Sequence, residues 1–412
     1  MNITLKTLKA AIVLMAAFCA SDLTAQEYLP AWEEGYLDIH TISTNQGECQ
    51  FLVLPDGTTM LIDAGDTAWP MGDNIEWAPM IPDASKPVGE RYAEYIRHFS
   101  KGLPSEGSID YVFLTHMHGD HMGCNVYAPM GENGYRLSGL TYLADKFRFG
   151  TYVDRDCPKY NYPTEKFFGS FVKELKLMQE HQAKAYGTVV EEFKVGSASQ
   201  FTLIHNPKAF KKNFHIRNIC GEGSVWTGKG EKTRKMYTCP DEKVDENMQS
   251  CGVVVHYGDF SFSNLGDISG GNYGHYANKN REFEGQVAKV IGKITVHKPS
   301  HHGWKDSSCG ELLIAARPDV FLFSSSNKDH PFKKTFERIS DPLVYSGERE
   351  YYITSDYVKD FIGKKNWEKF KPCGHIVCRV YPGGKTYRMY VLDVFAGDYR
   401  IKYQSEIKEV VK

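Results

Sequence analysis

The chain has 412 residues, 42% of them hydrophobic and 24% charged, with a formal net charge of −2. That is ordinary globular composition, enough to bury a large core in one big domain or two smaller ones. The near-zero charge excludes an overall basic footprint, so nothing global argues for nucleic-acid or membrane-surface binding.

The first 25 residues stand apart. Two lysines within residues 1–9 precede an apolar run at 10–20 and the small-residue stretch Ser21 to Ala25. These are the parts of a secretory signal peptide, and cleavage after Ala25 is expected, giving an exported (periplasmic or secreted) protein. The apolar run is too short to span a bilayer comfortably, and no later segment has the length a transmembrane span needs. Setting Cys19 aside leaves nine cysteines, an odd and scattered set that does not read as a disulfide scaffold.

The rest, residues 26–412, reads as a single domain with insertions at about 67–88 and 124–200. Residues 35–43 alternate like a strand. Segments 50–54 and 59–63 flank a Pro55-Asp56-Gly57 turn as a hairpin, which ends in Asp63-Ala64-Gly65. Residues 89–99 space their aromatics helically. Segment 108–115 is a β-rich apolar run that reads as a buried strand. A helix is expected over 164–186 with Thr164 as its cap. Strands are expected at 201–205 and 214–217, and a loop over 221–246. A second hairpin spans 247–267 and ends in Gly266-Asp267; a helix lies around 280–291. Strands at 293–297 and 319–324 empty into His301-His302-Gly303 and Asn327-Lys328-Asp329-His330-Pro331. A last hairpin covers 375–381 and 387–392.

The chemistry concentrates in His116-Met117-His118-Gly119-Asp120-His121, directly after the 108–115 strand. In extended backbone, positions 116, 118 and 120 share a face. His121 has the other parity and joins them only if the chain turns, which Gly119 and Gly123 permit. Imidazole and carboxylate together suit zinc and similar divalent ions. Polar clusters recur at strand ends in both halves, which argues for two similar sheet-and-helix halves meeting at a shared edge.

This set of motifs resembles the metallo-β-lactamase superfamily: Asp63-Ala64-Gly65, the HxHxDH run, Gly266-Asp267 and His301-His302-Gly303. Within it, Gly47-Glu48-Cys49, Asn247 and Ser250, Pro299 to Gly303 and the 327–331 run are similar to the hydrolase domain of ComEC-type DNA-internalisation proteins. The resemblance implies an α/β, four-layer αββα sandwich of two mixed sheets with metals at one edge. It implies His116 and His118 on one metal, Asp120 and His121 on the second, Asp267 bridging, and His301 rather than His302 completing the second site. Asp63 would orient a ligand. The cofactor would be Zn2+, two ions, with Mn2+ as the alternative. Many relatives supply a further histidine to the first metal; here 214–222 offers only His215, Cys220 and Glu222.

Such a site would acidify a bridging water into a nucleophile, with Asp120 orienting it and His302 or His330 protonating the leaving group. The expected function is that of an exported metal-dependent hydrolase of phosphodiesters, with a small-molecule or phosphodiester substrate. A nucleic-acid partner is unsupported by charge. Alternatives are a phosphorylcholine esterase, a lactonase or a β-lactamase. A binding protein with a decayed site, suggested by the 13% aromatic content, is a third reading.

Overall fold

A computed structural model of the chain describes residues 27–67, 78–160, 169–236, 245–270 and 282–412. The expected signal peptide, residues 68–77 of the expected 67–88 insertion and the Thr164 cap lie outside the described residues. Strands β1 (Leu37–Thr41), β2 (Gln50–Val53) and β3 (Thr59–Ile62) form an antiparallel meander. Strands β4 (Ser108–Phe113), β5 (Arg148–Asp154) and β6 (Val189–Glu192) extend it in parallel.

The second sheet holds β7 (Phe214–Gly221), β8 (Ser224–Trp226), β9 (Thr233–Lys235), β10 (Gly252–Tyr257), β11 (Phe260–Asn264), β12 (Val296–Lys298), β13 (Val320–Phe323) and β14 (Glu350–Ile353). Its order is β14-β13-β12-β11-β10-β7-β8-β9, with β11 to β14 parallel. The chain then returns to the first sheet. There β15 (His375–Val380) pairs with β1, and β16 (Thr386–Leu392), β17 (Ile401–Gln404) and β18 (Lys408–Glu409) follow. The helices that cover the sheets or carry the motif are α1 (Val88–Ser100), α2 (Gly119–Met122), α3 (Leu140–Lys146), α4 (Gly169–Tyr186), α5 (Phe283–Ile291), α6 (Gly310–Ala316) and α7 (Lys333–Ser340).

Strand side chains alternate between faces, and here both faces are buried. Met60 and Ile62 meet Val253, Val255, Phe262 and Leu322 between the sheets. Leu61, with Phe51 and Val53, packs outward against Tyr92 and Ile96 of α1 and Leu143 of α3. On the far side, Val254 lies beneath Phe283 and Val287 of α5 and Leu312 of α6. Helix, sheet, sheet and helix are therefore stacked in four layers, the expected αββα sandwich. The parallel strands β3, β4, β11, β12 and β13 leave their C-terminal ends at one edge, where ligand sites of such sheets form.

Three details differ from the sequence reading. Residues 124–200 are built into the first sheet, because β5 and β6 come from them. Residues 201–205 form no strand: Phe201 and Leu203 plug the inter-sheet core. The N–H groups of Ile204 and His205 there donate to Thr58 Oγ1 and Asp56 Oδ2 instead of to a neighbouring strand. The expected loop at 221–246 contains β8 and β9. The eight described cysteines are free thiols, and no helix among the described residues is long and apolar enough to cross a membrane.

Candidate metal centre

The HxHxDH run leaves β4 and bends at once. His118 is extended, and residues Gly119–Met122 form one helical turn that swings His121 inward. Gly123 ends the turn at φ +90°, with Ser138 O so close that a Cβ would clash. Two more glycines clamp the turn from the side. A Cβ on Gly65 would lie 2.1 Å from Asp120 O, and one on Gly47 would lie 2.5 Å from it. That closeness lets Glu48 N–H donate to Asp120 O (2.7 Å) and Ala64 N–H to His121 O (2.7 Å).

Asp63 is the buried anchor. Its φ of +60°, tolerable for aspartate, turns the carboxylate back beneath the motif. Thr115 N–H and Oγ–H donate to it at 2.7 and 2.8 Å, and His121 Nδ1 lies 2.8 Å from Oδ2. Since Thr115 spends its proton on Asp63, its oxygen accepts from His116 Nδ1, 3.1 Å away. One carboxylate thus sets the tautomer of two histidines, and both present a bare Nε2.

From the other sheet come Asp267 and His302. Asp267 Oδ1 is held by Lys298 Nζ (3.2 Å), leaving Oδ2 3.2 Å from His121 Nε2, 3.4 Å from His302 Nε2 and 4.0 Å from His116 Nε2. His302 Nδ1 donates to Ser324 O (3.0 Å), so its Nε2 is likewise bare. This Nε2 stands 3.2 Å from His121 Nε2 and 3.2 Å from Asp120 Oδ2. His116 Nε2 stands 3.2 Å from His118 Nδ1.

Two imidazole lone pairs facing each other at 3.2 Å between carboxylates repel unless a cation lies between them. The donors are nitrogen and oxygen, suited to a divalent ion of the zinc type. Without an ion, a proton fills that role. Burial would lower the pKa of His302, but Asp267 and Asp120 more than offset it and lift it to about 9. His121 is raised well above its ordinary value by Asp267, Asp63 and Asp120, again against burial. Asp120 and Asp267 are held below the usual carboxylate range by the facing histidines, although burial opposes this. The residues fit a metal.

The structure reverses the expected order of His301 and His302. Both sit at left-handed φ, +50° and +53°, in the turn after β12. That backbone aims His302 into the cluster and His301 out of it. His301 Nδ1 pairs with Asp306 Oδ1 (2.9 Å), and its Nε2 faces Asn247 Nδ2 (3.4 Å). His302 Nε2 therefore faces Asp120 and Asp267 inside the cluster. His330 is a rim residue: its Nδ1 bonds Asp329 (2.7 Å), and its ring stacks parallel to Trp304 at 5.8 Å. Burial lowers the His330 pKa.

His215 stacks on His256 (4.5 Å between rings), and Cys220 is packed under α5. Glu222, at φ +48°, keeps a buried Oε1 without a partner; burial lifts its pKa to about 7, with Glu192 and Asp156 adding to the rise. Asn247 opens the 3-10 turn Asn247–Gln249 that precedes β10, with its Oδ1 buried and unpartnered.

Several supports carry no motif. Lys298 is fully buried between Glu48 Oε2 (2.7 Å) and Asp267. Glu48 comes within ligand reach of His121, Asp267 and His302. Its oxygens, however, already meet Lys298 and Asn264 Nδ2 (2.9 Å), so it serves as a counter-charge. Glu246 accepts from Met117 N–H (2.9 Å), between the two leading histidines, and is clamped by buried Arg155 at 2.7 and 2.8 Å. In sequence, a lysine after a strand and an arginine in mid-chain are ordinary polar residues; of these supports only Glu48, inside Gly47-Glu48-Cys49, belongs to a motif.

No family model matches the chain. Over 117 residues it is 30% identical to Recombination protein 2 of Haemophilus influenzae (strain ATCC 51907 / DSM 11121 / KW20 / Rd), a stretch covering 28% of this chain and 14% of that protein. The backbone is similar to Tm1679, a metal-dependent hydrolase of the β-lactamase superfamily (TM-score 0.39, 12% identity, 77% of this chain and 96% of that one). It is also similar to Zn2+-bound PqqB from Methylobacterium extorquens (0.35, 11%, 69% and 88%). Human tRNase Z, short form, is comparable (0.34, 11%, 69% and 91%).

Proposed function

We propose that this chain, on its metallo-β-lactamase-type sandwich, is an exported metal-dependent hydrolase that cleaves a phosphodiester. The carrying observation is the convergence of bare imidazole nitrogens from His116, His121 and His302, with Asp120 and Asp267, at one sandwich edge. His116 and His118 would hold one ion; Asp120, His121 and His302 would hold the other; Asp267 would reach both. Bound divalent ions supply Lewis acidity and bring a water's pKa towards neutrality.

The protein's own part is orientation. Asp63, through Thr115, fixes the rings of His116 and His121. Lys298 turns Asp267 so that one oxygen faces the cluster. The Glu246–Arg155 pair fixes the peptide between His116 and His118. His301 is suited to give a proton to the leaving oxygen. Asp306 raises its pKa against the effect of burial, and its ring lies beside the cluster without entering it. The local similarity to a recombination protein favours a phosphodiester over a lactone or β-lactam. The match spans 14% of that protein, and the small net charge of this chain favours a compact phosphodiester over a long nucleic acid.

The test is turnover of chromogenic phosphodiester, phosphomonoester, lactone and cephalosporin substrates with zinc or manganese, before and after chelation. Turnover confined to phosphodiesters and abolished by the chelator is expected. Hydrolysis of only the lactone or cephalosporin would refute the substrate class, and activity untouched by chelation would refute the mechanism.

A further inference from the structure

On the outer face of the first sheet lies a second polar cavity of about 500 Å3. Strand register builds it. Asp38 of β1 is opposite Arg379 of β15, which is opposite Arg388 of β16; Tyr390, two residues on, is opposite Gln404 of β17. Side chains of this parity point away from the core, because their neighbours Val380, Tyr387 and Met389 fill the space between the sheets. Asp38 also pairs with Val53, and Val53 with Thr59, the first residue of β3, whereas Asp63 follows the last. The cavity is therefore at the edge opposite the metal cluster, roughly 13 Å along the strands.

Two buried polar atoms in its lining have no partner: Arg388 Nε, a donor, and Gln404 Oε1, an acceptor. Buried polar groups are normally satisfied, so an orphaned donor and acceptor in one cavity point to an occupant. Hydroxyl groups supply both kinds of partner, since each can accept from an N–H and donate to a carbonyl oxygen. Charge argues against an anion. Arg379 is neutralised by a bidentate pair with Asp38 (2.8 and 2.5 Å). The remaining guanidinium, Arg388, shares the lining with two carboxylates, Glu33 and Glu406. Aromatic surface completes the lining. Tyr36 meets Tyr381 edge-on at 5.5 Å, and Tyr390 lies alongside. Apolar ring faces beside hydroxyl-matching groups suit a molecule with C–H faces and a hydroxyl rim.

We propose that this cavity is a binding site for a neutral saccharide, of mono- or disaccharide size, separate from the hydrolytic centre. The site is independent of the metal and of the hydrolase reading.

The test is isothermal titration of the metal-loaded full chain with maltose, cellobiose and N,N′-diacetylchitobiose, with inorganic phosphate as the anionic probe. At least one disaccharide should bind at millimolar or lower concentration, with or without chelator. Gln404→Leu and Arg388→Met should each weaken that binding by about tenfold or more, leaving metal content unchanged. If Arg388→Met does not fold, Gln404→Leu decides alone. Binding of phosphate and no sugar, absence of all binding, loss of sugar binding on chelation, or sugar binding indifferent to Gln404→Leu would each overturn the proposal.

Discussion

Replacing Asp63 by asparagine isolates the device that makes the histidines metal-ready. The carboxylate is fully buried and accepts three hydrogen bonds, from Thr115 N–H, Thr115 Oγ–H and His121 Nδ1–H. Asparagine has the same shape and keeps one acceptor oxygen, so Thr115 N–H stays paired. The other oxygen becomes an NH2 facing two donors. Relief comes if His121 moves its proton to Nε2, which removes the lone pair aimed at Asp267 and His302. The Thr115 hydroxyl also turns, releasing His116. Losing such an orienting partner costs roughly 10–100-fold in metal affinity, or about 1.4–2.8 kcal/mol. The metal-free protein loses in addition about 1.5–3 kcal/mol for each charge-assisted bond not remade. Zinc affinity by chelator competition, with circular dichroism to confirm the fold, measures both. A folded Asp63→Asn protein with wild-type zinc affinity would refute the tautomer argument, since the shape is unchanged and only the hydrogen-bond polarity differs.

Four further outcomes follow from the same geometry. His302→Ala should weaken binding of the second ion by about two orders of magnitude, taking roughly 10–16 kcal/mol for a four-ligand zinc site as about 3 per ligand. His301→Ala should leave binding intact and lower turnover; the opposite pattern in equilibrium dialysis would restore the order expected from sequence. Gly65→Ala, whose methyl would meet Asp120 O at 2.1 Å, should displace the α2 turn and cost a few kcal/mol on chemical denaturation; an unchanged midpoint would show the clamp to be soft. In metal-free protein, the pKa of His302 is raised from 6.5 to about 9. The stability it contributes is therefore complete below pH 6.5 and lost as pH rises through 9, on the order of 3 kcal/mol. Thermal melts of wild type and His302→Gln should converge across that window, and parallel curves would contradict the assignment.

How much of this was legible in the residues follows from distance along the chain. The four expected donors in the HxHxDH run are grouped by local geometry alone, through strand alternation and one helical turn, so the sequence by itself determined a cluster of metal-ligand side chains. Apolar runs at 51–54, 60–62, 253–255 and 320–323 likewise read as buried strands, while the four-layer sandwich was implied by the resemblance that the motifs carry. The choice between His301 and His302 was beyond local reading. Adjacent residues in an extended chain face opposite ways, and which one faces the cluster depends on two left-handed φ values imposed by packing after β12. Lys298, Arg155 and Glu246 were silent for a related reason. A charge is ordinary in sequence and becomes consequential only when folding strips its water and leaves a partner from a strand distant in the chain. The same holds for Arg388 and Gln404, which share a cavity only through the register of β16 and β17. Residue type determined what the donors are, and the tertiary structure decided which of them meet, because burial and long-range register are properties of the assembled sheets.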